Sequence, residues 1–177
     1  LTFMRQPLLN DLSIPILHKA FRDCMLTKTF DLEAIVILPD HIHCIWRLPF
    51  TDDDYSSRWK LIKAAFTKEY IRRVGEAQAE PTTTGRVGEA PAKPTISMQK
   101  KGEKGIWQRR FCEHTIRDEM DYSTHCDYIH YNPVKHGLVK SALDWPHSSF
   151  HEFVEKGVYP KSWGGPSEDF PAGIGGE

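Results

Sequence analysis

The chain has 177 residues, with 23 basic and 24 acidic side chains and a formal net charge of −1 at pH 7. Apolar residues make up 40% of it, which excludes a disordered polymer and suffices for one domain with its own core. The near-neutral charge argues against a uniformly basic nucleic-acid binder, although a local basic patch is compatible with DNA binding.

The sequence contains no run of about 18 apolar residues, so we expect no membrane span. Its four cysteines form no CxxC pair, which argues against a zinc ribbon or a redox motif. We therefore expect reduced core thiols in a cytoplasmic protein. The cysteines are Cys24, Cys44, Cys112 and Cys126.

The first third of the chain predicts a helix followed by two strands. Apolar positions at helical spacing between residues 7 and 28 predict a helix that begins near Pro15. Residues 32–38 (LEAIVIL) are a β-branched apolar run typical of a buried strand, and residues 41–48 (HIHCIWRL) predict a second strand. The short link between the strands indicates an antiparallel pair.

A second helix is predicted after the acidic residues 52–54, whose charges suit a helix N-terminus. Its apolar face is formed by Trp59, Ile62, Phe66 and Tyr70. Residues 73–82 then recur almost unchanged at 86–95, in a stretch rich in Pro, Gly, Thr and Ala. We interpret residues 73–95 as a flexible surface insertion.

The last third of the chain predicts a strand, a helix and a tail. Residues 106–116 (IWQRRFCEHTI) indicate a strand. Asp118 is placed to cap a helix of about residues 119–131, which Pro133 is expected to end. Residues 146–177 are expected to form a C-terminal tail of turns with one short helix. Strands and helices in this order predict a single α+β domain over residues 1–177.

The sequence His41-Ile42-His43 is the sharpest local signal for chemistry. In a strand, residues two apart point to the same face, so two imidazoles would lie side by side as ligands for one divalent ion. The alternative is a pair of exposed strand histidines without a metal.

Tyr128 and Asn132 form a second candidate pair. Four residues apart on a helix, a phenol and an amide oxygen share one face. The alternative is an ordinary helix with a buried tyrosine. Tyr131 is a rival nucleophile, but it lies next to Asn132 and about 100° away around the helix.

Taken together, these four residues predict a phosphoryl-transfer site. His41, His43 and Asn132 would hold a hard or borderline divalent cation, Mg²⁺ or Mn²⁺, that polarises the scissile phosphate. Tyr128 would attack phosphorus and form a covalent phosphotyrosine. Because a tyrosine is normally protonated at neutral pH, it needs positive charge nearby to act as a nucleophile.

The strings PDHIHCIW, GIWQRRFCEHTIRDE and DYIHYNPVKHGLV resemble the REP-associated tyrosine transposases, which belong to the HUH class of single-strand transposases. The resemblance runs from Leu1 to about Trp163, apart from the insertion. It implies an antiparallel sheet flanked by helices, in the ferredoxin-like or RRM-like arrangement of HUH nucleases. Since only Leu1-Thr2-Phe3 precedes MRQPLL, we expect an incomplete first strand.

The resemblance also implies a function. It implies cleavage and rejoining of single-stranded DNA at palindromic hairpins through a 5′-phosphotyrosine, and a monomer, with a dimer as the alternative. It assigns the metal to His41 and His43, the nucleophile to Tyr128 and the third ligand to Asn132. Candidate DNA contacts are Arg58, Lys63, Arg109, Arg110, His114, Arg117 and Lys135.

Two other functions are compatible with the residues. One is an HxH metal-dependent hydrolase that uses water as its nucleophile. It would need more acidic ligands, and the sequence shows no second cluster of Asp and His. The other is a catalytically inactive DNA-binding relic of a transposase. Covalent trapping of DNA on the protein distinguishes these alternatives from a tyrosine transposase.

Overall fold

The computed structural model describes residue 2 and residues 5–79, 105–108 and 111–165. Within them lie four α-helices, a short 3₁₀ helix and two strands. The helices are α1 (Ile14–Thr27), α2 (Tyr55–Ala79), α3 (Glu119–Lys135) and α4 (Phe150–Glu155), and the 3₁₀ helix is Ala142–Asp144. The strands are β1 (Asp31–Ile37) and β2 (Ile42–Arg47).

The described part of the chain forms two compact units. The prediction of a single domain over residues 1–177 stays a prediction. The first unit comprises residues 1–30, 39–41 and 48–111. It contains α1 and α2, which pack together, with the rings of Phe21 and Trp59 in edge-to-face contact. Both helices bury apolar side chains. These buried side chains include Leu17, Phe21, Ile62 and Phe66.

The second unit comprises residues 31–38, 42–47 and 112–177. Here β1 and β2 pair antiparallel, as predicted, with Val36 opposite His43. The helix α3 packs against both strands. Its apolar side chains Cys126 and Ile129 meet those of the strands, including Ala34 and Ile45, in one buried cluster. This packing fixes α3 across the sheet.

Residues 147–149 extend the sheet beyond β1. Ser148 forms an isolated antiparallel bridge with Val36. The amide of Ile37 donates to His147 O over 2.9 Å, and the amide of Ser149 donates to Ile35 O over 2.9 Å. The edge of β1 is therefore covered rather than left open for pairing with another chain.

Two predicted elements differ from the structure. In the described part of residues 106–116 only Trp107 makes a β-bridge, to Thr2, and residues 111–116 are irregular. The helix α2 continues to Ala79, so residues 73–79 of the predicted insertion are helical. Residues 80–95, the rest of that insertion, lie outside the described residues.

The prediction that Pro133 ends the helix was wrong, because α3 runs two residues further. The helix ends at a Schellman motif instead: Leu138 N donates to Pro133 O and Gly137 N donates to Val134 O, each over 2.9 Å. Gly137 has a φ of +68°, a conformation that glycine adopts without strain. Pro133 removes only one backbone bond of the last turns.

The four cysteines are free, but they do not all lie in the core as predicted. Cys24 and Cys126 are buried and Cys44 is partly exposed. Cys112 is exposed and lies in a stretch without regular secondary structure.

Candidate active site

Tyr128 on α3 contacts His43 on β2. Their ring centroids are 5.3 Å apart and the ring planes meet at 83°, an edge-to-face arrangement. The contact follows from the packing of α3 across the strands, since Val36, opposite His43, belongs to the core below the helix. The second unit therefore brings the predicted phenol and one predicted imidazole together.

Asn132 follows Tyr128 by one helical turn and is completely buried. Among the described residues, neither its Oδ1 nor its Nδ2 has a hydrogen-bond partner. Leaving a buried amide unsatisfied costs about 1–3 kcal/mol, so such groups are rare in folded proteins. An amide in this state is suited to bind a ligand, and hard divalent cations bind amide oxygens.

His41 belongs to the first unit and is almost fully buried. Its Nδ1 lies 2.6 Å from Oδ1 of Asp40. When a carboxylate accepts a hydrogen bond from Nδ1–H, the lone pair of the neutral ring is at Nε2, an orientation common in metal-binding histidines.

The sequence did not indicate this role for Asp40, because neighbouring residues of a strand point to opposite faces. In the structure β2 begins only at Ile42. The two-residue period therefore applies to neither Asp40 nor His41. The adjacency of the carboxylate and the imidazole in the sequence was the available signal.

Lys135 lies beside the phenol on the last turn of α3. Its Nζ is 4.8 Å from the centroid of the Tyr128 ring, within the range of a cation–π contact. Lys135 is exposed, so it can also reach a bound anion. Tyr131 has a different neighbour, the ring of Trp163 at 6.3 Å and 80°.

Comparison with known proteins gives close relatives. A REP-associated tyrosine transposase of Escherichia coli (strain K12) is 44% identical over 146 residues, which are 82% of this chain and 70% of the relative. A putative REP-associated tyrosine transposase of Haemophilus influenzae is 44% identical over 148 residues, 84% of this chain and 74% of the relative. No family model matches.

The chain belongs to the REP-associated tyrosine transposases. A solved structure of a REP-associated tyrosine transposase bound to a REP hairpin is also similar. It is 40% identical, has a TM-score of 0.67, and the match covers 96% of this chain and 83% of the other. The predicted family is thus confirmed, and membership implies an enzyme that acts as a transposase. No helix among the described residues is long and apolar enough to cross a membrane.

Two of the DNA contacts predicted for this transposase have other roles in the first unit. Arg58 is 1% exposed and its guanidinium donates to both carboxylate oxygens of Asp52 and to Thr29 O. These contacts give Arg58 a structural role, and its contact with phosphate stays a prediction. Lys63 donates to Gln108 O over 3.2 Å, and burial lowers its pKa. Its Nζ lies 5.4–6.0 Å from the rings of Trp59, Trp107 and Phe111.

The remaining candidates are divided between exposed and undescribed positions. His114, Arg117 and Lys135 are exposed and belong to the second unit. Arg109 and Arg110 lie outside the described residues. Among the predicted DNA contacts that the structure describes, the exposed ones therefore lie on the second unit. Tyr128 belongs to the same unit.

His114 is also part of a cluster that the sequence had not indicated. Ligand atoms of His114, Asp121 and His125 all lie within 4.8 Å of one another. The expectation of no second Asp/His cluster was therefore wrong. Asp121 and His125 are four residues apart on α3, and this spacing was the signal that could have found them.

Proposed function

We propose that this transposase cuts and rejoins single-stranded DNA at palindromic hairpin elements, with Tyr128 as the nucleophile. The observation that carries the proposal is the contact of Tyr128 with His43 beside the buried, unsatisfied amide of Asn132. Support for the hairpin substrate comes from the relative whose structure contains a REP hairpin. The antiparallel pair crossed by α3 is consistent with the ferredoxin-like fold of HUH nucleases.

The proposed cleavage is a transesterification. Tyr128 Oη attacks phosphorus, the phenol loses its proton, and an O–P bond forms. The bond from phosphorus to the 3′-oxygen breaks, and that oxygen takes up a proton to leave a 3′-hydroxyl. The other fragment stays on the protein as a 5′-phosphotyrosine. For rejoining, a 3′-hydroxyl attacks this phosphotyrosine and restores the phenol.

Lys135 contributes charge to this chemistry. Negative charge develops on the tyrosine oxygen and on the phosphate during attack, and a fixed positive charge nearby stabilises it. The ammonium of Lys135 already lies over the Tyr128 ring. In the proposed reaction it stays beside the phenol and binds a phosphate oxygen of the strand.

A divalent cation, Mg²⁺ or Mn²⁺, is the proposed cofactor, with His41, His43 and Asn132 as its ligands. Each unit supplies an observation that supports this proposal: in the second, Asn132 offers a buried oxygen without a hydrogen-bond partner among the described residues, and in the first, Asp40 lies 2.6 Å from Nδ1 of His41. When bound, the ion withdraws electron density from the phosphate. The chain's own residues position the nucleophile and the strand.

The decisive experiment uses a labelled hairpin oligonucleotide, the tag-free protein and Mg²⁺ or Mn²⁺, followed by denaturing electrophoresis. We expect a protein–DNA adduct and a fragment with a free 3′-hydroxyl. Nicking without an adduct would support the water-dependent hydrolase instead. Binding without nicking under either ion would support the inactive relic.

The metal ligands are tested separately. Replacing His41 and His43 with Ala should abolish metal-dependent cleavage, because the ion loses two of its three proposed ligands. The matched control is His18→Gln, which changes an exposed histidine of α1 and should cut normally. Circular dichroism checks that both variants are folded. Full cleavage by the double variant would contradict the ligand assignment.

Substrate choice is tested by affinity. We expect tighter binding to the hairpin than to the same sequence as a duplex, with an affinity that falls as salt rises because phosphate contacts release counterions. Fluorescence anisotropy over a range of salt concentrations measures the affinity for each DNA and its dependence on salt. Equal affinity for the two DNAs would contradict a hairpin substrate.

A further inference from the structure

We propose that His114, Asp121 and His125 form a second cation site, distinct from the proposed catalytic metal, that binds a borderline divalent ion such as Zn²⁺. The three side chains come from two segments of the second unit: His114 from the irregular stretch before α3, and Asp121 and His125 from its first turns. An ion held by all three would fasten that stretch to the helix that carries Tyr128.

The carboxylate of Asp121 lies at the centre of this cluster. Nε2 of His114 lies 2.9 Å from its Oδ2, and Nδ1 of His125 lies 3.1 Å from its Oδ1 and 2.8 Å from the backbone carbonyl oxygen of Asp121. The two imidazoles are stacked, with centroids 4.5 Å apart and planes at 11°. A ring nitrogen of each histidine thus lies near the same carboxylate. Because the backbone carbonyl of Asp121 only accepts hydrogen bonds, Nδ1 of His125 is its donor here, so binding of an ion by His125 requires that this proton be released or that the ring turn to present Nε2.

The chemistry of the donors selects the class of ion. Two imidazoles and one carboxylate suit Zn²⁺, Ni²⁺ or Co²⁺, whereas Mg²⁺ prefers an all-oxygen shell. The pKa of Asp121 is lowered to about 2, mainly by its hydrogen bond with His114. Like other aspartates, Asp121 is ionised at neutral pH and can act as a ligand.

Neighbouring groups leave room for the ion. The side chain of Asp121 is 14% exposed, while those of His114 and His125 are 42% and 35% exposed, so water can complete the coordination shell. Arg117 also contacts Asp121: its amide donates over 3.0 Å and its Nε lies 3.5 Å from Oδ2. Because its side chain is 76% exposed, the guanidinium can turn into solvent when a cation binds.

The test is calorimetric titration of tag-free protein with ZnCl₂ in the presence of millimolar Mg²⁺. The background is the His41→Ala/His43→Ala variant, which removes two proposed catalytic ligands. We expect this variant to bind one Zn²⁺ per chain. Adding His114→Gln or His125→Gln should abolish that binding, whereas adding His18→Gln, the matched control, should leave it unchanged.

Two results would overturn the site: no Zn²⁺ binding by the background variant, or binding that survives both His114→Gln and His125→Gln. Hydrogen exchange of the unmodified protein gives a second measurement that needs no variant. Zn²⁺ should slow exchange of the amides in residues 111–122, and unchanged rates there would contradict an ion that joins the two segments. Neither result depends on cleavage, so the proposed nuclease function can fail without affecting this test.

Discussion

Tyr128 and Tyr131 lie three residues apart on α3, yet their surroundings differ. Tyr128 contacts the ring of His43 and lies under the ammonium of Lys135. Tyr131 packs against Trp163 in the C-terminal part of the chain. From the sequence, Tyr128 was preferred to Tyr131 as the nucleophile only because it shares a helix face with Asn132. These contacts are a second reason to prefer Tyr128.

The Tyr128→Phe variant should form no covalent adduct with a labelled hairpin, because it lacks the attacking oxygen. Its affinity for the hairpin should stay nearly unchanged, since only one hydroxyl is lost. Tyr131→Phe is the matched control and should still form the adduct. Denaturing electrophoresis and peptide mapping of the adduct measure the outcome, and DNA found on Tyr131 would reverse the assignment.

Lys135→Gln should slow adduct formation roughly 10- to 100-fold, because a charge that stabilises the transition state is removed. Lys135→Arg should restore most of the rate, and Lys140→Gln, at another exposed lysine, should have little effect. Single-turnover cleavage measures the rate, and anisotropy measures hairpin affinity. A loss of affinity that fully accounts for the slower rate would make Lys135 a binding residue only.

At the scale of elements, α3 carries Tyr128, Asn132 and Lys135 of the proposed site. Its N-terminus is fixed by Asp118, whose side chain accepts from Asp121 N over 2.8 Å, as the sequence predicted. Its C-terminus is fixed by Gly137 rather than by Pro133. Capping at both ends holds Tyr128 and Asn132 in a continuous helix.

Removing the N-cap tests how far α3 depends on it. Asp118→Ala should lower the free energy of unfolding by about 1 kcal/mol, because the amide of Asp121 loses its partner. Asp118→Ser retains a capping oxygen and should lose much less. Urea denaturation followed by circular dichroism compares the two, and equal stability of both variants would show that the cap contributes nothing.

At the scale of the whole molecule, each compact unit has its own structural core. The first unit buries Arg58 with Asp52 as its salt-bridge partner at 2.6 Å. This guanidinium also donates to the carbonyl oxygens of Thr29 and Asp54, which joins the segment before β1 to the start of α2. A buried charge with this many partners is costly to remove.

Arg58→Ala should destabilise the protein by on the order of 2–4 kcal/mol, because it leaves a cavity and unpaired polar groups. Lys60→Ala, two residues along the same helix and exposed, should change stability by less than about 0.5 kcal/mol. Thermal unfolding compares the variants. If Arg58→Ala lowered the stability no more than Lys60→Ala does but weakened hairpin binding, Arg58 would act mainly as a DNA contact.

The sequence by itself determined the strand pair and the starts of α1 and α3, because apolar periodicity, Pro15 and Asp118 act through neighbouring residues. The family was indicated by the resemblance of three sequence strings, which needs no structure. Only the tertiary structure decided that Arg58 is buried, that residues 111–116 form no strand, and that Asp40 orients His41. It also brought His114 to Asp121 and His125. These outcomes depend on burial and on contacts between residues distant in the chain or on exact strand ends, which local patterns do not specify.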